Sequence, residues 1–214
     1  MSCAWIVGAG DFSPTRFQPK SGDVVIAVDG GLRYLEQIGV KPDLAVGDFD
    51  SLGYVPQGVK VVRHSPIKDQ TDMFLAAQEA IASGCDELML LGATGGRLAH
   101  TLANLQLLSF LEEQGISAFL TDDNLTATAL QSGTLTFDEA SRGYLSVFAH
   151  GANATGVYLT GLKYPLVDAA LTPDFPLGVS NEFIGVPASV TVQKGTVLVL
   201  WDSRNSKPKR EKKQ

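Results

Sequence analysis

The apolar positions of the chain follow two rhythms. Up to about residue 128, short runs rich in Val, Ile and Leu alternate with stretches in which apolar residues recur every three or four positions. Runs that are apolar at every position belong to strands covered on both faces, so the pattern predicts a mostly parallel sheet with crossover helices on both faces. The expected strands are Trp5–Val7, Val24–Val28, Leu44–Val46, Val59–Val62, Leu88–Leu91 and Ala118–Leu120. Helices are expected after Gly31, Asp69 and Gly96, and Leu98, Leu102, Leu105, Leu108 and Leu111 mark one apolar stripe along the last of them. Gly39, Gly84 and Gly115 stand where those helices would end.

Beyond Leu130 the helical period disappears. Short β-branched segments punctuated by glycine follow one another: Thr134–Phe137, Tyr144–Phe148, Gly156–Leu159, Ser189–Val192 and Thr196–Trp201. They predict an antiparallel β-sandwich or barrel. The fold class is therefore α/β, with an N-terminal domain over 1–130, a C-terminal antiparallel β-sandwich domain over 131–206, and a basic tail over 207–214. The tail has no apolar residue to dock, so it is expected to be solvated and disordered.

Composition narrows the class of function. A hydrophobic fraction of 44% and a charged fraction of 19% suit a globular protein with a sizeable core. No apolar run approaches the roughly 20 residues of a membrane helix, and the N-terminus lacks the basic and small-residue flanks of a signal peptide. A cytoplasmic protein without membrane contact is expected. Cys3 and Cys85 are the only cysteines and show no metal-type spacing, which fits a reducing compartment. The formal charge is −6, and the body is more acidic still because the basic residues cluster in the tail. That balance excludes a nucleic-acid footprint and suits cations as partners.

In an open parallel sheet, ligands bind outside the carboxyl ends of the strands. Asp29-Gly30-Gly31, Gly47-Asp48-Phe49-Asp50-Ser51 and Gly92-Ala93-Thr94-Gly95-Gly96-Arg97 all follow expected strands, so acidic groups and glycines converge on one edge. Asp48 and Asp50, two apart in extended geometry, would project from the same side of the chain and repel unless a cation such as magnesium lay between them. Taken alone, an Asx turn is the better reading of this pair. Lys68-Asp69-Gln70-Thr71-Asp72-Met73 opens a helix, with Asp69 as expected N-cap, and its acids serve either the helix terminus or a metal. The glycine loop ending at Gly95 and Gly96 can present backbone N–H groups to phosphate or can be a plain turn; Arg97, His100 and Asn104 follow it on one helix face. Gly8-Ala9-Gly10 is followed by Ser13 where a dinucleotide fingerprint needs its third glycine, which disfavours a dehydrogenase.

The order VDGG, PDLAVGDFDSL, KDQTDM, LGATGGRLAHTLANLQLL and VSNEF resembles the thiamine pyrophosphokinase family over nearly the whole chain. The resemblance implies an α/β domain followed by a β-sandwich, a homodimer with active sites in clefts between domains and subunits, and transfer of diphosphate from ATP to the hydroxyl of thiamine with Mg2+. By matched position it implies that Asp29, Asp48, Asp50 and Asp72 hold magnesium and the ATP phosphates, with Asp48, Asp50 and Asp72 as the metal ligands. It likewise implies that Arg97 contacts phosphate, that Gly30, Gln70, Thr71, Gly95, Gly96, His100 and Asn124 belong to the nucleotide side, and that Ser180 and Asn181 belong to the thiamine side. The family motif Gly-Gly-Arg-x-Asp-His has Ala99 in place of its Asp here. That departure makes a non-catalytic sensor of the same ligands the main rival reading, ahead of a phosphotransferase acting on another small alcohol.

Overall fold

A computed structural model of the protein describes residues 2–50, 52–54, 56–63 and 69–212; Ser51 and Lys68 lie outside the described residues. The chain divides into two compact units, Met1–Leu107 with Gln114–Asp123, and Leu108–Glu113 with Asn124–Gln214. The change of rhythm read near residue 130 corresponds to a break at 123/124.

The first unit carries six strands, β1 (Cys3–Val7), β2 (Val24–Val28), β3 (Leu44–Gly47), β4 (Lys60–Arg63), β5 (Glu87–Leu91) and β6 (Ser117–Thr121). All pair in parallel in the order β6-β5-β1-β2-β3-β4. Ile6, Ile26, Leu88, Leu90 and Leu120 are fully buried along these strands, which explains why their sequences are apolar without alternation. The helices are α1 (Gly31–Gln37), α2 (Asp72–Ala82) and α3 (Leu98–Glu113). The path steps outward from β1 to β4 and then returns to β5 and β6 on the other side of β1. Right-handed crossovers therefore put α1 on one face and α2 and α3 on the other. The switch in direction falls between β1 and β5.

Gly39, Gly84 and Gly115 each have positive φ just beyond a helix, as the sequence predicts. The leucine stripe of α3 differs from its expectation. Leu107, Leu108 and Leu111 are buried, but Leu98 is 70% and Leu102 is 53% exposed.

The second unit contains β7 (Leu125–Phe137), β8 (Tyr144–Thr160), β9 (Leu166–Leu171), β10 (Gly178–Glu182), β11 (Ala188–Asp202) and β12 (Lys209–Lys212). Antiparallel pairing gives β10-β8-β11-β7, with β9 added to β8 and β12 added to β7. Phe137 pairs with Ala188, and Trp201 pairs with Thr126 at the opposite end of β7. In a flat sheet those positions would stand about 36 Å apart at roughly 3.3 Å per residue. The Phe137 and Trp201 rings are instead in edge contact at 5.4 Å, and Phe183 joins them at 5.2 Å. The sheet thus folds over itself into the two layers of the expected sandwich, with this aromatic group between them.

Several segments read from the sequence as separate short strands are parts of long ones. Tyr144–Phe148 and Gly156–Leu159 both lie in β8, and Ser189–Val192 and Thr196–Trp201 both lie in β11. The glycines between them mark bulges: the β8–β11 register shifts between Lys194 and Thr196.

The basic tail is a correction of another kind. Lys209–Lys212 pairs with Thr136–Gly133, and the Arg210 side chain is only 12% exposed. Its guanidinium pairs with Glu112 on α3, whose side chain is 4% exposed, and donates to Thr128 Oγ1 at 2.9 Å and the Ala129 carbonyl at 2.8 Å. A strand can thus form without apolar residues when backbone pairing and one buried ion pair fix it. Deleting residues 207–214 should lower the melting temperature by several degrees, because Glu112 would stay buried without its partner, a loss of about 3–5 kcal/mol. Arg210→Ala should reproduce most of that loss in thermal denaturation; an unchanged Tm in both variants would contradict the clamp.

Candidate active site

Where chains leave neighbouring strands in opposite directions, a crevice opens at their carboxyl ends. Here it lies beyond β1 and β5, with a volume of about 590 Å³. One wall is the loop after β1, Gly8-Ala9-Gly10, and the other is the loop after β5, Gly92–Gly96. Gly8 N donates to the Leu91 carbonyl, Gly10 N to that of Gly92, and Asp11 N to that of Thr94, all at 2.8–2.9 Å. Such an approach excludes side chains: a Cβ on Gly10 would lie 2.0 Å from the Thr94 carbonyl oxygen, and one on Gly92 would lie 2.2 Å from that of Gly8. The first glycine pair, read from sequence only as a failed dinucleotide fingerprint, is needed for this backbone contact.

Three carbonyls of the glycine loop, those of Gly92, Ala93 and Thr94, are committed within the protein. The Asn104 amide donates to the Ala93 carbonyl at 2.7 Å, completing the set begun by Gly10 and Asp11. Among the described residues, no acceptor takes the N–H of Gly95 or Gly96. Gly92, Gly95 and Gly96 all have positive φ, so the loop forms a concave set of backbone N–H groups just before α3. Such a nest suits an anion.

Acidic groups line the same crevice. Asp29, Asp50, Asp69 and Asp72 are among its lining residues, with Gln70, Thr71, Met73, Arg97, His100 and Asn104. Thr71, not Asp69, is the N-cap of α2, its hydroxyl accepting from Phe74 N at 3.2 Å. That cap sets Asp72 at the first helical position. Asp29 follows β2 with φ +44 and lies against Gly47, where a Cβ would stand 1.8 Å from the Asp29 Oδ1. Burial, reinforced by the charge of Asp72 and a hydrogen bond between the two carboxyls, raises the Asp29 pKa from 3.8 to about 7; the charge of Asp48 adds to the rise and the Phe49 N–H opposes it.

The DFD turn takes the Asx form that the pair suggests when read alone. Phe49 is buried with φ +63, which breaks the extended geometry that would have aligned Asp48 with Asp50. Asp48 Oδ1 instead accepts the Asp50 N–H at 3.1 Å, an Asx turn, and Asp48 is absent from the crevice lining while Asp50 is present. Among the described residues, no three acidic side chains already converge as a preformed cation cage. A pair of carboxylates that repel each other in a cleft still fits magnesium, which takes one or two carboxylates and completes its shell with water and phosphate.

Of the remaining residues named from sequence, Arg97 and His100 touch each other through Nη2 and Nε2 at the mouth of the crevice, while Gly30 is not among its lining residues. In the second unit, the Asn181 side chain is occupied by backbone: its Oδ1 accepts from Tyr164 N and Glu182 N at 2.9 Å, and its Nδ2 donates to the Tyr164 carbonyl at 2.7 Å. Ser180 is exposed and held at φ +57. Asn124 stands in the second unit, where its carbonyl accepts from Ser203 N at 3.2 Å. Sequence reasoning set Gly8 and Ala9 aside with the failed dinucleotide fingerprint, while Thr94 in the glycine loop and Asn104 on one helix face with Arg97 and His100 were read at this edge, where the structure has them.

A parallel sheet with an anion nest and paired carboxylates at its switch point defines a nucleotide- or phosphate-handling α/β protein. Two family profiles match the chain in order: "Thiamin pyrophosphokinase, catalytic domain" over residues 19–120 and "Thiamin pyrophosphokinase, vitamin B1 binding domain" over 134–197. The thiamine pyrophosphokinase of Bacillus subtilis is 30% identical over 183 residues, covering 82% of this chain and 85% of that protein. A crystal structure of thiamine pyrophosphokinase from Bacillus subtilis superposes with TM-score 0.84 at 26% identity, covering 94% of this chain and 99% of that one. One from Geobacillus thermodenitrificans gives 0.80 at 28% identity, covering 95% and 98%. The chain belongs to the thiamine pyrophosphokinase family, whose members are diphosphotransferases.

The raised Asp29 pKa has a thermodynamic consequence. A carboxyl whose folded pKa exceeds its ordinary value adds stability that is complete below about pH 3.8 and is lost as pH rises through about 7. In metal-free buffer the melting temperature should therefore fall between about pH 5 and pH 8, and Asp29→Asn should flatten that slope. Equal slopes in both proteins, measured by calorimetry in a chelator, would show that Asp29 is not the group responsible.

Proposed function

We propose that the crevice of the first unit binds ATP and that the protein transfers the terminal diphosphate of ATP to the hydroxyl of thiamine, releasing AMP. The observation that carries this reading is the pairing, in one crevice, of uncommitted loop amides with the Asp29–Asp72 carboxyls. A phosphate chain needs donors on one side and cation ligands on the other; the glycine loop offers the first, and the acids after β2 and at the start of α2 offer the second.

In this reading the Gly95 and Gly96 amides and the Arg97 guanidinium hold phosphate oxygens, and Gln70, Thr71 and His100 complete the nucleotide side. Asp29, Asp50 and Asp72 hold magnesium; Asp48 supports the turn that presents Asp50 and is not assigned as a ligand. Bound magnesium would neutralise charge on the phosphates as it builds in the transition state. The oxygen of the thiamine hydroxyl forms a bond to the β-phosphorus while the bond from that phosphorus to the α,β-bridging oxygen breaks. The hydroxyl proton passes to a carboxylate of the acidic group. Most of the acceleration comes from alignment and charge neutralisation, which is what fixed amides and carboxylates provide.

The second unit supplies the thiamine contacts, with Ser180 as its exposed polar group and Asn181 as the support that shapes the neighbouring backbone. Two cysteines outside any disulfide, one of them buried, are consistent with a cytoplasmic setting. No helix among the described residues is long and apolar enough to cross a membrane.

Incubating the protein with ATP, magnesium and thiamine should release AMP in step with thiamine diphosphate. Asp72→Asn should lower that turnover by roughly 100-fold without loss of fold. Binding of both ligands without AMP release would instead support the sensor reading that Ala99 raises.

We further infer a homodimer. Tyr144, Tyr164, Phe175, Leu177, Val179 and Ile184 are exposed along β10 and the segments bonded to it, an apolar surface suited to a second copy. Light scattering should give twice the chain mass, and Phe175→Glu with Val179→Glu should shift it toward monomer. A wild-type protein of single mass at micromolar concentration would refute the dimer.

A further inference from the structure

Backbone hydrogen bonds join the glycine loop to the loop after β1, and each loop is anchored further through a side-chain hydroxyl. Two consecutive residues at the end of β6 accept these hydroxyls. Asp122 is buried and its Oδ2 accepts the Thr94 hydroxyl at 2.8 Å, in the middle of the Gly92–Gly96 loop. Asp123 accepts the hydroxyl of Ser13, a residue 1% exposed in the segment that continues the Gly8–Gly10 loop. Ser13 is steadied further by Thr15, whose Oγ1 lies 2.9 Å from its Oγ.

From this geometry we infer that Asp122 and Asp123 are positioning residues that bracket the phosphate crevice, each fixing one wall through a single hydroxyl. The reading rests on the crevice as the ATP site proposed above. Thr94 is the residue through which Asp122 acts. With its carbonyl held by Asp11 N and its hydroxyl held by Asp122, Thr94 is fixed by two bonds, which limits rotation of the backbone that leads to Gly95 and Gly96. Loop carbonyls are thereby kept away from the phosphates, where they would repel. The hydroxyl hydrogen bond also engages the Asp122 carboxylate behind the loop. Ser13 and Asp123 perform the same task for the other wall, where Gly10 and Asp11 donate the bonds that join the two loops.

The test is calorimetric titration of ATP with magnesium, without thiamine, alongside steady-state turnover. Thr94→Val and Asp122→Ala should each weaken ATP binding by about tenfold, and the double variant should be little worse than either single one, because both remove the same bond. Asp122→Asn keeps an acceptor for the hydroxyl and should retain nearly full affinity. Ser13→Ala should weaken ATP binding and should combine additively with Thr94→Val, since the two act on different walls. KM for thiamine should stay within about twofold throughout, which general unfolding would not allow. If Asp122→Ala fails to fold, Thr94→Val and Asp122→Asn still decide the matter. ATP affinity unchanged in Thr94→Val, in a wild type that binds and turns over ATP, would overturn the bracket while leaving the function intact. A wild type that binds no ATP would overturn the reading of the crevice and the bracket with it.

Discussion

Two strands that lie side by side and send their chains in opposite directions must part at their ends, and that parting of β1 from β5 is the constraint on which the first unit depends. The gap exists because of topology, but its width exists because of glycine. Backbone must meet backbone at Gly8, Gly10 and Gly92 for the loops to interlock, and any Cβ there would collide with a carbonyl oxygen. Once interlocked, the loops have the carbonyls of Leu91, Gly92 and Thr94 committed to backbone N–H groups of the first loop and that of Ala93 to Asn104, while the Gly95 and Gly96 amides have no acceptor among the described residues. The acidic side of the crevice follows from β2 and α2, where Asp29 and Asp72 are forced close by two local features, a left-handed backbone and a threonine cap. Anion donors and cation ligands thus arise from separate local rules and meet only because the sheet order brings them together.

The parts of the fold legible in the sequence are those in which burial dictates residue type. Val24–Val28 and Leu88–Leu91 read as strands because parallel strands with helices on both faces have no polar side to interrupt them. The second unit was harder to read. Gly151, Gly156 and Gly195 look like turns in a sequence but bend continuous strands, so β8 and β11 were divided. β12 has the composition of a solvated tail, Lys-Arg-Glu-Lys, and its order comes from β7 and from Glu112, far away in the chain.

The candidate site divides along similar lines. Residues that stand immediately after a strand, such as Asp29, Asp50 and the glycine loop, were visible because the carboxyl edge of a parallel sheet is a place that can be named in advance. Asp48 was placed with Asp50 among the metal ligands by the family resemblance, whereas the pair read alone gave the Asx turn, to which the positive φ of Phe49 belongs. Asp122 and Asp123 carry no local signal at all. Their partners lie 28 and 110 residues away, and only the folded sheet brings them together.

The pairing of β12 also governs the order in which the molecule can be completed during synthesis. The first unit draws on residues up to 123 and contains its own sheet, so it can close as soon as that stretch of chain has emerged. The second cannot: β7 is made early, yet one of its edges and the counter-charge of Glu112 wait for residues 209–212. Until then β7 presents an open edge and α3 carries a carboxylate without its partner. The nascent protein therefore passes through a stage in which the first unit is built while the second is still exposed to wrong strand partners.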